Sequence, residues 1–364
     1  MTQFNLQVPI NPTSLGQVST NMLYEFFLKK LEPNIFLIGN PDISSFDGLL
    51  PEDFTKWLHH CCGKAQSEFK SSDPSLKLWH INGSFESVGK NNFLYFFHEV
   101  DQMTKTEKNI LNNFEKVFSP CSFTENVGKE YGVKNISTIP LGYNSLAFKP
   151  VEVEPYQDNP TVIALAGKFE HRKRTAKMIK LLSENWGNNS KFKIHLHVFN
   201  PFYDQQNPER CNAINLQVIQ EACGGKLPDN FVLMGHFPQL IELNKCYNIA
   251  DVVVDGSGGE SWSLPSFHMA GIGKKAVVHH NSGIKEWANE DNCWIVNSSG
   301  KISADDGMFF NSQAPFNAGN IYDFEEEDMV KQIKNALKSK NKKNNLTNEF
   351  SYEKMADKIL ENIL

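Results

Sequence analysis

A chain of 364 residues, 40% of them apolar, is long enough for two ordinary globular domains with a core each. Its formal net charge of −6 supplies no field that would draw it to nucleic acid or an anionic membrane. The seven cysteines include no CxxC pair, which excludes the usual zinc spacings and points to reduced thiols rather than a disulfide framework.

Residues 1–17 lack a basic region followed by an unbroken apolar core, so no secretory signal is expected, and the expected location is cytoplasmic. No apolar run reaches membrane-spanning length. Phe4 to Ile10 predicts a strand, residues 11–16 a turn, and Val18 to Leu31 a helix. Strand, turn and helix make half of a doubly wound unit, although a single Gly16 is no dinucleotide fingerprint. Ile35 to Gly39 predicts a second strand and Pro51 to Cys61 a helix with acids in its first turn. Leu76 to Ile81 and Asn92 to His98 predict strands that end in His80 with Asn82, and in His98 with Glu99. Groups at two such ends share the carboxyl edge of a parallel sheet, where ligands bind. Asp101 reads as a helix-capping charge. Lys116 to Pro120 and Ile136 to Leu141 complete a six-strand set, with Ser119 to Ser122 capping a helix from near Phe123. Residues 149–160, with Pro150, Pro155 and Pro160 among acids, have linker composition.

Thr161 to Gly167 opens the second half as an apolar strand. Lys168, His171, Arg172, Lys173 and Arg174 follow it, ahead of a helix to about Trp186. A charge run is ordinarily a solvated face, but this one lies where a strand hands over to a helix, at an anion-binding edge. Strands are expected at Phe192 to Phe199 and Phe231 to Gly235, and helices at Asn212 to Cys223 and Leu240 to Ile249. Asp251 to Ala270, DVVVDGSGGESWSLPSFHMA, is the most informative stretch. A Val-rich strand breaks at small residues and feeds a helix at Leu264-Pro265. Unpaired amides and the helix dipole there suit a phosphate. Glu260 beside them would repel phosphate and is better fitted to accept hydrogen bonds from hydroxyls. Phosphate and polyol together suggest a sugar nucleotide. Ala276 to His280 predicts a strand, Asn281 to Glu286 a short helix, and Glu325 to Leu337 and Ser351 to Leu364 amphipathic helices. Residues 298–323, including Asp305-Asp306-Gly307, have no clear period.

At residues 260–268 the chain resembles retaining glycosyltransferases of family 4, which have the GT-B architecture. That family carries Glu, then Gly-Phe-Gly-Leu-Pro, then a second Glu. Here Glu260 and Leu264-Pro265 match, Trp262 replaces Phe, Ser261 and Ser263 replace the glycines, and His268 stands at the second Glu. The stretch from Phe96 to Val127, Pro140-Leu-Gly-Tyr143, and Lys168 with Lys173 are similar to further parts of the pattern. The resemblance implies an α/β fold of two Rossmann-like, doubly wound domains facing across a cleft. Residues 1–150 would bind the acceptor, 151–345 the nucleotide sugar, and 346–364 would cross back onto the first domain.

The resemblance also implies a hexose transfer from a nucleotide-diphosphate sugar, such as a UDP- or GDP-hexose, to a hydroxyl of a carbohydrate, lipid-linked or other acceptor. Anomeric configuration would be retained, within glycan biosynthesis, with no metal and no cofactor. His98 and Glu260 would face the sugar. Lys168 and Lys173 would neutralise the departing diphosphate, with Arg172, Gly16, Gln17, Ser261, Trp262, Ser263 and Leu264 around donor phosphate and sugar. Gly235, His236 and His268 would hold the nucleoside, and His80, Asn82 and Glu99 the acceptor. The rival readings are a non-catalytic nucleotide-sugar-binding protein of the same fold and a transferase acting on hydroxymethylated DNA bases.

Overall fold

The computed structural model describes residues 3–364. The first lobe contains β1 (Asn5–Val8), α1 (Ser14–Leu28), β2 (Asn34–Leu37), α2 (Glu52–Ser67), β3 (Ser75–Leu78), β4 (Asn92–Tyr95), α3 (Lys105–Leu111), β5 (Lys116–Ser119), α4 (Ser122–Glu130) and β6 (Ile136–Thr138). Its strands pair in parallel in the order β2-β1-β3-β4-β5-β6. The second lobe contains β7 (Thr161–Ala166), α5 (Thr175–Trp186), β8 (Phe192–His197), α6 (Pro208–Ala222), β9 (Phe231–Leu233), α7 (Leu240–Ile249), β10 (Val252–Asp255), α8 (Leu264–Gly271), β11 (Lys275–His280) and β12 (Trp294–Asn297). These strands are also parallel, in the order β12-β11-β10-β7-β8-β9. Helices cover both faces, so β7 and β10 are near-continuous apolar runs with almost every side chain buried.

In each sheet the winding direction reverses once, between β1 and β3 and between β7 and β10. The crevice outside the strand ends at such a reversal is where doubly wound folds bind ligands. In the second lobe it is bounded by the loops 167–174 and 256–263, the two stretches that the sequence singles out.

The rest of the chain ties the lobes together. A hairpin of β13 (Gly300–Ser303) and β14 (Asn320–Asp323) precedes α9 (Glu326–Lys338), α10 (Leu346–Glu349) and α11 (Tyr352–Ile363). The last helix returns to the first lobe, where Asp357 pairs with Lys29 of α1 at 2.7 Å. Tyr143 bridges to Ser351 beside that crossing. Gly142 is forced here, because a Cβ at this position would lie 2.2 Å from the Tyr352 nitrogen. One apolar cluster runs through the junction, from Phe4, Leu6 and Phe26 of the first lobe to Trp262, Phe267 and Phe350.

Several local expectations are corrected. Helix α1 starts at Ser14, so Gly16 and Gln17 occupy its first turn instead of a loop. Ser122 is the first residue of α4, and the side chain of the cap residue Cys121 takes no bond from a helix amide. The hydroxyl and amide of Ser122 instead donate to Glu286 Oε2 of the second lobe, at 2.7 and 2.9 Å. Asp101 caps no helix: α3 is capped by its own Thr104 and Glu107 in a reciprocal capping box. The patternless residues 298–323 contain the hairpin, whose four-residue strands are too short to show a period.

Candidate functional site

The site is built where loops 167–174 and 256–263 meet the end of the first lobe's loop after β4. Gly167 has φ of +133°, and a Cβ there would lie 3.0 Å from the Lys173 stem, so glycine lets the chain turn against that side chain. Beyond it, the Arg172 guanidinium is buried and works as a fork. One nitrogen donates to the Gly259 carbonyl and pairs with Glu260 at 3.1 Å. The other pairs with Glu170 at 3.1 Å and, from the opposite lobe, Glu99 at 3.2 Å. Lys173 also pairs with Glu260. The Glu260 backbone is pinned on both sides: its amide donates to Ser282 Oγ at 2.9 Å and its carbonyl accepts from the Gly283 amide at 2.8 Å. Gly283 tolerates no side chain, since a Cβ would lie 2.1 Å from the Ser261 carbonyl oxygen.

Burial by itself would raise the Glu260 carboxyl, but Arg172 and Lys173 override it and hold the group down at about 2. Glu99 goes the other way: burial raises it, with Glu260 and Glu170 adding to the effect and Arg172 opposing. Glu170 is held low by Arg172, Lys168 and Lys173 in spite of burial. Arg172, Lys173 and Lys168 thus share three carboxylates in a water-poor spot. Lys168 stands apart, half-buried, pairing with Glu170 at 2.9 Å and lying 4.5 Å over the Phe202 ring. Arg172, not Lys168, occupies the position beside Glu260.

No model of a known protein family matches the chain, and no curated protein matches it in sequence. Solved structures do match in shape. Sucrose-phosphate synthase from Thermosynechococcus elongatus covers 100% of this chain with 95% of its own, at 12% identity and a TM-score of 0.60. An alpha,alpha-trehalose-phosphate synthase (UDP-forming) from Burkholderia vietnamiensis covers 100% with 98% of its own, at 7% identity and a TM-score of 0.64. A trehalose-6-phosphate protein from E. coli, solved with UDP-2-fluoro glucose, covers 99% with 96%, at 11% identity and a TM-score of 0.60. The fold is GT-B.

Within the GT-B frame the charged cluster lies at the reversal point of the second lobe, with first-lobe residues closing on it. His98 is buried; its Nε2 sits 2.8 Å from the Gln102 carbonyl, and burial lowers its basicity. Its own carbonyl accepts from Ser261 Oγ at 2.7 Å and Thr124 Oγ1 at 3.1 Å, which joins the lobes at this point. His80 and Asn82 are exposed on the first lobe. His80 is nonetheless held below its usual value by the atoms packed around it and by the charge of Lys168.

The start of α8 differs from the sequence reading. Ser263 is its cap residue, with φ of +64°. The anion at this helix start is the chain's own Asp255, whose carboxylate accepts from Ser263 Oγ at 2.5 Å, Ser266 Oγ at 2.7 Å and the Ser257 amide at 2.9 Å. Trp262 is a core residue, edge-on to Phe267 at 5.3 Å and Phe350 at 5.2 Å, and Leu264 packs on the same cluster. His268 is buried too, stacked on Phe148 at 4.0 Å, with burial lowering it to about 3. It faces packed rings and not an open ribose-sized space. Gly16 abuts Asn11, and Gln17 bonds the Pro12 carbonyl at 3.0 Å. Gly235 and His236 are exposed at the exit of β9.

Sequence reasoning missed Glu170, Asp255 and Glu286 as site-building residues. Asp255 had a signal, being a charge at the end of a buried strand with serines eight and eleven residues on. Glu286 had the Gly283-x-x-Glu286 spacing that resembles the family's, but nothing pointed to its partner Ser122, which is 164 residues away. Among the described residues no group of three His, Cys, Asp or Glu side chains is arranged to hold a metal ion, and no helix is long and apolar enough to cross a membrane. All seven cysteines are free thiols.

Proposed function

We propose that the protein is a glycosyltransferase that moves a hexose from a nucleotide-diphosphate sugar to an acceptor hydroxyl, with retention at the anomeric carbon and without a metal. The observation that carries this reading is the convergence of Arg172 and Lys173 on Glu260 at the reversal point of the second lobe. An arriving diphosphate takes over the two cations, and Glu260 is released to accept hydrogen bonds from sugar hydroxyls. As the sugar–phosphate bond breaks, negative charge grows on the diphosphate, and fixed cations in a dry site favour that change. The leaving phosphate oxygen then takes the acceptor's proton, so no protein nucleophile is required. Lys168 completes the positive side of the pocket, and His98 lies against the sugar.

Acceptor binding falls to the exposed first-lobe residues His80 and Asn82 together with Glu99, and the nucleoside to the exposed turn at Gly235 and His236. The trehalose-phosphate synthase described as UDP-forming and the neighbour holding UDP-2-fluoro glucose support a uridine nucleotide as the first donor to try. Retention and glycan biosynthesis in the cytoplasm belong to the same proposal. The test is incubation with UDP- and GDP-hexoses and a panel of sugar and lipid-linked acceptors, followed by release of nucleoside diphosphate. Acceptor-dependent release, undiminished by a chelator and lost in Lys173→Ala, is the expected outcome. Donors that bind without turnover under any acceptor would favour a second reading, a sugar-nucleotide-binding protein without catalysis. The burial of His268, which leaves no carboxylate at the expected ribose position, speaks for that alternative.

A further inference from the structure

Residues 304–319 connect the two paired strands β13 and β14, so both ends of this strap lie side by side at the hairpin, and its middle reaches across to the first lobe. Two aspartates give it internal shape. Asp306 Oδ1 accepts from the amides of Met308, Phe309 and Phe310 at 2.8–2.9 Å, and Asp305 accepts from the Ser312 amide at 2.5 Å and hydroxyl at 2.9 Å. The base of the strap belongs to the second lobe: the Tyr322 amide donates to the Gly258 carbonyl at 2.7 Å, and Asp323 holds Arg174 and Lys177 at 3.0 and 2.9 Å. The far side is fastened to the first lobe by a few polar contacts. Asp101 accepts from the Asn320 amide at 2.7 Å and Lys301 Nζ at 2.8 Å. The Asn317 amide donates to Glu107 Oε1 at 2.9 Å, and Thr104 Oγ1 donates to the Pro315 carbonyl at 2.6 Å. Phe316 rests on the first lobe's apolar cluster, and Gly319, with φ of +151°, passes so close to Val100 that a Cβ would sit 3.1 Å from that residue's own.

What the strap covers is the charged cluster. Phe310 is buried against Val100, with its ring 5.7 Å from the Arg172 guanidinium, and Phe309 lies 5.6 Å from Lys168 Nζ. A cavity of about 280 Å³ opens beside the cluster, with Glu170, Arg174 and Lys177 on one side and Asp306 and Met308 of the strap on the other. Building on the donor reading, we propose that 304–319 is a lid. It stays hinged to the second lobe at Tyr322 and Asp323, swings with the outer part of the hairpin away from Asp101, Thr104 and Glu107 to admit a nucleoside-diphosphate sugar to Arg172 and Lys173, and closes again to keep water from the reacting carbon. The polarity of its attachments favours this direction. The second-lobe base is held by the Tyr322 amide on Gly258 and by Asp323 on Arg174 and Lys177, whereas past Asp101 the polar bonds of residues 304–319 to the first lobe are one each to Glu107 and Thr104, which water can replace.

Hydrogen–deuterium exchange on the full chain tests the lid. The amides of Asn317 and Asn320, whose partners are on the first lobe, should exchange at least about tenfold faster than those of the core strand β11, as local opening allows. Asp101→Ala should speed them further. Lys301→Ala, at a half-exposed side chain, provides the same test if the first variant does not fold. UDP or a UDP-hexose at saturation should slow them. Asn317 and Asn320 amides as slow as β11 in the wild type and in both variants would overturn the lid, whatever binds. Fast, variant-sensitive exchange that no UDP or GDP compound alters would instead sink the donor reading and leave only the hinge.

Discussion

Arg172 illustrates how much one side chain carries at this site. Its fork is buried and faces Glu99, Glu170 and Glu260; burial works against its charge, and those carboxylates more than offset that and hold its proton more firmly than usual. Removing it leaves Glu99 without its ion-pair partner and Glu260 and Glu170 with one lysine each, so Arg172→Met should cost about 3 kcal/mol by denaturant titration, the low end for losing one partner of a buried pair. Glu260→Gln separates binding from chemistry. It removes the carboxylate that competes with a diphosphate for Arg172 and Lys173, so nucleoside diphosphate affinity should rise on the order of tenfold. Transfer should fall, because the acceptor for the sugar hydroxyls is gone. Calorimetry and turnover on the same preparation read both quantities. Loss of nucleoside diphosphate affinity would mean that Glu260 supports the phosphate site and does not compete with it.

Helix starts show the same economy at the scale of elements. Helix α3 satisfies its first turn locally, with Thr104 and Glu107, and that capping box can be read from four adjacent residues. Helix α8 borrows Asp255 from the strand before it. Helix α4 borrows Glu286 from the other lobe. Its cap exists only while the lobes are docked. Glu286→Ala should therefore cost about 1 kcal/mol, the usual price of a lost cap, and should speed amide exchange in the first turn of α4 while leaving α3 unchanged. Equal exchange in α4 before and after substitution would show that solvent already serves that turn.

Across the whole molecule, buried histidines set the acid limit of stability. Burial lowers His195 to about 4, His197 to about 3, His268 to about 3 and His279 to about 4, from an ordinary 6.5. Each is neutral when folded and takes up a proton on unfolding below 6.5, so the unfolded state binds more protons there and stability falls as pH falls. The loss approaches about 1.4 kcal/mol per pH unit for each group that is fully protonated when unfolded. Glu260 joins later. Its depressed carboxyl contributes stability above 4.5, which is lost as pH drops from there toward about 2. The melting temperature should thus be nearly flat above pH 7 and decline from pH 6.5 to 4. His268→Phe, which keeps a ring against Phe148, should make that decline shallower by about one proton's worth. An unchanged slope would mean that His268 keeps its proton uptake when folded.

The sequence by itself determined the two doubly wound sheets, the reversal-point loops and the choice of Glu260 and the basic run from Lys168 to Arg174 as the candidate residues on them. Those features rest on local periodicity, on glycine at tight turns and on the short range over which a strand, loop and helix organise. Only the tertiary structure decided that Arg172 takes the place expected of Lys168, that Trp262 and His268 belong to the core, that Asp255 fills the start of α8, and that residues 304–319 cross the cleft. Each depends on partners far away in the chain: Glu99 of the opposite lobe for Arg172, Phe350 for Trp262, Phe148 for His268, and Asp101, Thr104 and Glu107 for the strap. A long-range contact leaves no spacing to read, because the energy that selects it comes from burial and charge pairing in the assembled fold and not from the residues on either side.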